Sequence, residues 1–346
     1  MLEPIRAAHH LPALGGAIVT SGGLVTSGVT GVRKLGAEPR ASVDDLWHLG
    51  SDTKAMTATM IAMLVQRGRL SWDRTVGEAF GDRAADWPEA FRGITLTQLL
   101  SHRAGLPANL NWDAIAASSK DVRQQRLNAV TAASKVKPES APGAAFLYSN
   151  LGYTIAGAMA ERAAGKTWED LLASLVFSPL GMSSCGFGGT GTIGQIDQPW
   201  PHGPNGQPAP TNGPAMDNRE VMGPAGTVHC SIADWSRFVA DQLAGARGAG
   251  KLLEPAGYTM IQGAKGTTGA AMGGAEYAFG WGVVSRPWAQ GVALTHAGSN
   301  TMNFCVVWIA PAIDLAVLAV TNSGAPDAGA AADEAVSALI LSRVKK

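Results

Sequence analysis

Ser51 and Lys54 have the residue types and the spacing of a nucleophile and its base. An apolar run from Ala55 to Arg67, ended by Gly68, predicts a long helix that begins near Ser51. Residues three apart lie on one face of a helix, so the Lys54 amine is expected to approach the Ser51 hydroxyl. Burial lowers the pKa of an amine, and a neutral amine accepts the serine proton. The pair therefore predicts a nucleophilic Ser51, whose own N–H at the helix start can bind an oxyanion.

The same two residues also fit a purely structural interpretation, an N-cap serine followed by a solvated lysine. The spacing occurs again at Ser134 and Lys137, which run into Pro138 with no apolar helix to follow. The spacing alone therefore does not separate a catalytic pair from a helix cap, and the prediction depends on motifs elsewhere in the chain.

Tyr148 and Asn150 form a second candidate motif. They follow the turn-forming Pro142-Gly143 and precede an apolar helix predicted over Leu151 to Ala164. A lysine ammonium beside a tyrosine favours the phenolate, so we expect Tyr148 to act in acid–base catalysis. The structural alternative is a tyrosine at a helix start, with a buried ring and a solvated hydroxyl.

His296, Gly298 and Ser299 form a third candidate motif, which follows a strand predicted over Gly291 to Thr295. A glycine at the end of a strand allows a ligand to approach the backbone closely. The segment His48-Leu49-Gly50 has the same His-x-Gly spacing, so this motif is also uninformative when taken alone.

The three motifs occur in the order Ser51-x-x-Lys54, Tyr148-x-Asn150, His296-x-Gly298. Together they resemble the active-site elements of the serine β-lactamase and penicillin-binding-protein superfamily. The resemblance is closer to its class C-like branch, which includes family VIII carboxylesterases, D-aminopeptidases and DD-peptidases. It spans nearly the whole chain, because residues 99–107 and 223–227 are similar to further recurrent segments of that branch.

This resemblance implies roles for the residues of the motifs. Ser51 would be the acyl-forming nucleophile and Lys54 its base. Tyr148 would carry protons to the leaving group and from the hydrolytic water, and Asn150 would bind the acyl side of the substrate. The N–H groups of Ser51 and Ser299 would form the oxyanion hole.

His296 stands where most β-lactamases and penicillin-binding proteins have a lysine. A lysine there is always charged and attracts a substrate carboxylate, whereas a histidine near neutral pH is mostly uncharged. The resemblance therefore implies a carboxylesterase acting on small to medium acyl esters, with weak β-lactam hydrolysis. The alternatives are a D-amino acid amidase or peptidase, a β-lactamase, and a non-catalytic penicillin-binding or assembly-forming relative.

The composition fits a compact enzyme whose partner is a small-molecule ester or amide. The chain has 346 residues, 46% of them hydrophobic, and a formal net charge of +0, which favours neither a nucleic-acid nor a membrane partner. The seven histidines contain no His-x-x-x-His pair. We therefore expect no metal, and no motif indicates a cofactor.

The cysteines and the N-terminus predict a cytoplasmic location. Cys185, Cys230 and Cys305 are scattered without a Cys-x-x-Cys pair and are expected to be free thiols in a reducing compartment. The N-terminus lacks the apolar core of a signal peptide. A periplasmic protein whose leader had been removed would have the same sequence.

The pattern of elements predicts an α/β (α+β) fold of the β-lactamase and transpeptidase type. An antiparallel sheet is flanked by helices, and an all-α domain is inserted into it. We expect a sheet domain from residues 1–70 and 220–346 and a helical domain from residues 71–219, with a Gly/Pro-rich loop region near 186–219 that either roofs the cleft or faces solvent. The predicted strands are 17–20, 24–29, 280–286, 291–295, 303–309 and 315–320, and the predicted terminal helix is 330–344.

Overall fold

The computed structural model describes residues 1–263 and 276–344. Ten strands lie in these ranges: β1 (Ala13–Thr20), β2 (Gly23–Gly31), β3 (Leu46–His48), β4 (Gly186–Phe187), β5 (Val228–Ser231), β6 (Glu276–Tyr277), β7 (Gly282–Arg286), β8 (Gly291–Ser299), β9 (Phe304–Ala310) and β10 (Leu315–Thr321). Seven of them form an antiparallel sheet in the order β2-β1-β10-β9-β8-β7-β6. The other three form a smaller sheet in the order β3-β5-β4.

Helices surround the large sheet and fill the middle of the chain. They are α1 (Leu2–Ala8), α2 (Thr53–Gln66), α3 (Val76–Ala79), α4 (Glu89–Arg92), α5 (Leu96–Leu100), α6 (Trp112–Ala117), α7 (Val122–Ala133), α8 (Asn150–Ala164), α9 (Trp168–Leu172), α10 (Ser178–Leu180), α11 (Gly223–Gly226), α12 (Ile232–Ala246), α13 (Pro255–Gln262) and α14 (Ala328–Val344). Among these described helices none is long and apolar enough to cross a membrane.

The large sheet is covered on both faces because its central strands are apolar on both sides. Alternate residues of a strand point to opposite faces. Leu14 and Ile18 of β1 therefore join a buried cluster with α14, while Ala17 and Val19 join the main core with α12. Every residue of β10 is buried between these two helical layers.

The predicted fold class is confirmed, because an antiparallel sheet flanked by helices is what the structure shows. The N-terminal hairpin, the four consecutive strands near the C-terminus and the terminal helix all form, with ends that differ by a few residues from the predicted ones. Their apolar alternation is a local property, so the sequence carries it directly. The division into a sheet domain and a helical domain stays a prediction.

The Gly/Pro-rich stretch contains more regular structure than its composition indicates. Gly186–Phe187 forms β4, which pairs with β5, and Glu220–Met222 forms a 3-10 turn ahead of α11. The pairing partners lie far apart in sequence, so composition alone does not reveal them.

The expectation of three free thiols is wrong. Cys185 and Cys230 form a disulfide across 45 residues, and Cys305 alone is free and buried. The pairing of β4 with β5 brings the two cysteines together, with Cα atoms 4.2 Å apart. The prediction of a reducing compartment loses the observation on which it rested, and the cytoplasmic location stays a prediction.

Candidate active site

Ser51 lies in a single 3-10 turn, Gly50–Asp52, between β3 and α2. The turn places Ser51 just before the α-helix rather than within its first turn. Lys54, one turn further along, brings its Nζ to 2.9 Å from Ser51 Oγ. The close approach expected from the three-residue spacing is therefore present in the structure.

Lys54 is completely buried, and its amine contacts two further oxygens. Nζ donates to Asn150 Oδ1 and to the Ala225 carbonyl oxygen, each at 2.8 Å. Burial holds the pKa of Lys54 well below its ordinary value, and the nearby Asp52 carboxylate acts in the opposite direction. A neutral amine has two N–H groups for the two carbonyl oxygens and one lone pair for the Ser51 hydroxyl proton. The site thus fits an amine that accepts a proton from Ser51.

Tyr148 also reaches the nucleophile. Its hydroxyl hydrogen-bonds with Ser51, and its ring centroid lies 4.8 Å from Lys54 Nζ. Burial raises the pKa of Tyr148, and the hydrogen bond with Ser51 offsets only part of this effect. The pKa of Tyr148 therefore shifts opposite to the expectation of a favoured phenolate, because burial favours the protonated phenol and also favours the neutral form of Lys54.

Asn150 is the first residue of α8, whose N-cap is Ser149. Ser149 Oγ accepts from the Gly152 N–H and so fixes the helix start. The Asn150 side chain bridges two partners, because Oδ1 accepts from Lys54 and Nδ2 donates to Asn109 Oδ1 at 3.0 Å. This geometry orients the lysine amine, and a role in binding the acyl side of a substrate stays a prediction.

The end of β8 packs directly against the turn that carries Ser51. A Cβ atom on Gly298 would overlap the Leu49 carbonyl oxygen and lie 2.9 Å from the Ser51 nitrogen. A Cβ atom on Gly50, whose φ is +46°, would overlap the Ser299 nitrogen. Two glycines therefore allow the backbones at Ser51 and Ser299 to lie side by side, as an oxyanion hole requires.

His296 is buried on β8 with a protein partner at each ring nitrogen. Nδ1 lies 3.1 Å from Asp52 Oδ1, and Nε2 lies 3.1 Å from the Tyr277 hydroxyl. The other Asp52 oxygen is 3.0 Å from the Cys305 sulfur. The ring is therefore held by the protein, and its predicted contact with substrate stays a prediction.

A family model described as Beta-lactamase matches residues 1–342. The chain belongs to the Beta-lactamase family. The match extends from the N-terminal hairpin to the terminal helix and covers all three motifs, so the likeness does not depend on the short motifs alone.

Curated relatives of this Beta-lactamase family member are distant. Penicillin-binding protein 4 of Amycolatopsis lactamdurans is 29% identical over 180 residues, which are 52% of this chain and 46% of that protein. Unguisins hydrolase ungD' of Aspergillus campestris is 26% identical over 279 residues, which are 75% of this chain and 48% of that protein. The chain thus spans about half the length of these relatives.

Solved structures share the fold of this Beta-lactamase family member. The octameric penicillin-binding protein homologue from Pyrococcus abyssi superposes with a TM-score of 0.79 and 19% identity, covering 97% of this chain and 75% of that chain. SurE with D-Leu gives a TM-score of 0.77 and 20% identity, covering 99% and 73%. At such identities the likeness shows the fold alone.

Four residues around the site were not singled out from the sequence: Asp52, His102, Asn109 and Tyr277. The His102 ring lies 4.3 Å from the Tyr148 ring between centroids, and its Nδ1 accepts from the Ser149 N–H. Burial, with Lys54 nearby, holds the pKa of His102 well below its ordinary value. His102 lies in the recurrent segment 99–107 and Asp52 within the Ser51 motif, which are the signals available in the sequence.

The described ranges contain no group of three or more His, Cys, Asp or Glu residues placed to hold a metal ion. The arrangement at Ser51 consists of a hydroxyl, an amine, a phenol and backbone N–H groups. These groups suit acyl transfer by a serine nucleophile.

Proposed function

We propose that this Beta-lactamase family member is a serine hydrolase that forms an acyl-enzyme at Ser51. One observation carries the proposal: Lys54 Nζ lies 2.9 Å from Ser51 Oγ while the lysine is fully buried. An N-cap serine with a solvated lysine does not require this burial. The amine is held by Asn150 and Ala225 with its pKa lowered, as a base for serine must be.

In acylation, Ser51 Oγ attacks the substrate carbonyl carbon and its proton passes to Lys54 Nζ. The carbonyl oxygen becomes an oxyanion beside the N–H groups of Ser51 and Ser299. The bond to the leaving group then breaks as Tyr148 donates its proton to that group. Tyr148 regains a proton from Lys54, so the amine is neutral again and the acyl group remains on Ser51.

In deacylation, a water molecule attacks the acyl carbon. Its proton passes through Tyr148 and Lys54 to Ser51 Oγ as the acyl bond breaks. The products are a carboxylic acid and the free serine, so the enzyme returns to its starting protonation state. Tyr148 suits this transfer because it hydrogen-bonds with Ser51 and keeps its proton at rest.

The substrate class we propose is a small to medium carboxylic ester. His296 replaces the usual lysine, and both its ring nitrogens face protein groups, Asp52 and Tyr277. The ring therefore has no unengaged nitrogen to offer a substrate carboxylate. Relatives described as a penicillin-binding protein and as a hydrolase make amides and β-lactams the substrates to compare with esters.

A fluorophosphonate probe followed by intact-mass measurement tests the nucleophile. We expect one adduct on the wild type and none on Ser51→Ala, which also loses ester turnover by several orders of magnitude. Ser134→Ala is the matched control, because Ser134 also precedes a lysine by three residues but donates its hydroxyl to the Thr131 carbonyl oxygen. Absence of an adduct on the wild type favours a non-catalytic binding protein instead.

Specificity constants for three substrates test the ester proposal. We expect an uncharged short-chain aryl ester to have a higher kcat/KM than a D-amino acid amide or a penicillin. A higher value for the amide replaces the esterase proposal with an amidase or peptidase, and a higher value for the penicillin replaces it with a β-lactamase. The acyl-enzyme at Ser51 is common to all three results.

A further inference from the structure

Asp217 comes from the Gly/Pro-rich stretch, yet its side chain is only 1% exposed. Its Oδ1 accepts a hydrogen bond from Asn300 Nδ2 at 2.9 Å and lies 2.8 Å from His48 Nε2, a close polar contact whose angles fall outside hydrogen-bond geometry. His48 belongs to β3 and Asn300 follows β8, so one carboxylate oxygen joins three separate parts of the chain.

On one side, Asp217 contacts His48, whose ring is hydrogen-bonded to the turn that carries Ser51. His48 Nδ1 accepts from the Gly50 N–H at 3.0 Å, so Nδ1 carries the lone pair, and the other ring nitrogen, Nε2, is the one in contact with Asp217. Gly50 directly precedes Ser51 and packs against the backbone of Ser299. The position of the Ser51 N–H therefore depends on how His48 is held.

On the other side, Asp217 contacts Asn300, which follows the end of β8. Asn300 directly follows Ser299, and its Oδ1 accepts from the N–H groups of Met302 and Asn303 at 3.2 and 3.0 Å. The Asn300 side chain thus shapes the turn after Ser299, and Asp217 accepts a hydrogen bond from its amide nitrogen.

We propose that Asp217 is a positioning residue that holds together the two halves of the oxyanion hole. The inference rests on the proposed acyl transfer at Ser51. Through His48 it locates the Ser51 N–H, and through Asn300 it locates the Ser299 N–H. The proposal also gives the Gly/Pro-rich stretch a role at the site, since Asp217 belongs to that stretch.

Two variants of Asp217 separate this role from general structural support. Asp217→Ala removes the acceptor for Asn300 and the carboxylate that contacts His48. Asp217→Asn keeps an acceptor oxygen at Oδ1 and changes only Oδ2, which has no hydrogen-bond partner among the described residues. Oxyanion stabilisation requires accurate placement of both N–H groups. Displacement of the Ser51 or the Ser299 N–H is therefore expected to lower kcat by about 10²-fold.

Ester turnover and the rate of phosphonylation by a fluorophosphonate provide the measurements. We expect Asp217→Ala to lower kcat and the phosphonylation rate together by about 10²-fold, with KM changed by less than about threefold, and Asp217→Asn to restore both rates. Asp113→Ala is the control: Asp113 lines the same cavity as Asp217 but pairs with Arg219 at the surface, and its loss should leave both rates unchanged.

Three outcomes decide the inference. Asp217→Ala that folds and keeps the wild-type kcat overturns it, while labelling of the wild type leaves the acyl-enzyme proposal intact. If the wild type neither reacts with the fluorophosphonate nor hydrolyses an ester, the acyl-enzyme proposal is refuted. The positioning role of Asp217, which rests on it, is then refuted as well. If Asp217→Ala does not fold, Asn300→Asp replaces it, because this variant keeps the acceptor for the Met302 and Asn303 N–H groups and removes only the N–H donated to Asp217. It must show the loss of kcat, and an unchanged kcat overturns the positioning role of Asp217.

Discussion

Asp52 is the residue within the Ser51 motif whose role the structure changes most. Its carboxylate contacts His296 through Oδ1 and Cys305 through Oδ2, and it raises the pKa of Lys54 against the larger lowering by burial. The protonation state of the proposed base is therefore a balance between desolvation and one buried negative charge.

Asp52→Asn is expected to extend activity to lower pH. Lys54 must be neutral to accept the Ser51 proton, so kcat/KM rises with pH as Lys54 loses its proton. Removing the negative charge of Asp52 favours the neutral amine, lowers the pKa of Lys54 further and moves the acidic limb of the profile to lower pH. The measurement is the pH dependence of kcat/KM for a neutral ester.

The exposed Asp44, changed to asparagine, is a matched control that should leave the acidic limb in place. An acidic limb that stays put or moves to higher pH in Asp52→Asn contradicts the assignment of Lys54 as the base. The isosteric amide keeps the volume of the buried side chain but only one of its two acceptor oxygens, so urea unfolding of the variant is measured beside the kinetics.

At the scale of elements, the contact between β8 and the Ser51 turn governs the site. This contact needs the glycine at position 298, because the Leu49 carbonyl oxygen and the Ser51 nitrogen occupy the space of its missing Cβ. The Ser51 turn and the end of β8 thus meet through backbone atoms, in addition to the side-chain contact of Asp52 with His296.

Gly298→Ala is expected to lower kcat by about 10²-fold or more, because the methyl group pushes β8 away from the turn and separates Ser51 from Ser299. Overpacking of this kind also costs about 1–3 kcal/mol of unfolding free energy. Ester kinetics and urea unfolding measure the two effects.

Gly28→Ala is the matched control, because a Cβ on this strand glycine of β2 would come no closer than 4.0 Å to Leu2 Cδ1. Kinetics of Gly298→Ala equal to those of the wild type would show that β8 does not need this close contact for turnover.

For the molecule as a whole, the Cys185–Cys230 disulfide ties the Gly/Pro-rich stretch to the small sheet that precedes the nucleophile. It closes a loop of 45 residues, which restricts the unfolded chain. Asp217 lies within the loop that the disulfide closes. The disulfide, however, acts mainly on the unfolded state.

Replacing both cysteines by alanine is expected to lower the unfolding free energy by about 2–4 kcal/mol, with ester turnover of the folded protein retained. Urea unfolding of the wild type with and without a reductant, compared with the double variant, measures this. The reductant should destabilise the wild type and leave the double variant unchanged. Equal stability of the oxidised wild type and the double variant would contradict the stabilising role.

The sequence by itself determined the features that depend on local periodicity. Helical spacing placed Lys54 over Ser51, apolar alternation specified the strands from β7 to β10, and the apolar run from Leu151 to Ala164 indicated α8. These follow from the chain's own geometry over a few residues. The family resemblance was available for the same reason, since its motifs are short and ordered.

Only the tertiary structure decided the chemistry of those residues. Lys54 meets the Ala225 carbonyl across 171 positions, and Asp52 meets His296 across 244, so neither contact leaves a periodic trace in the sequence. Burial then lowers the pKa of Lys54 and raises that of Tyr148, opposite to the phenolate expected from residue types alone. The Cys185–Cys230 pairing arose in the same way. Desolvation and long-range contact depend on the packed core, which residue spacing does not encode.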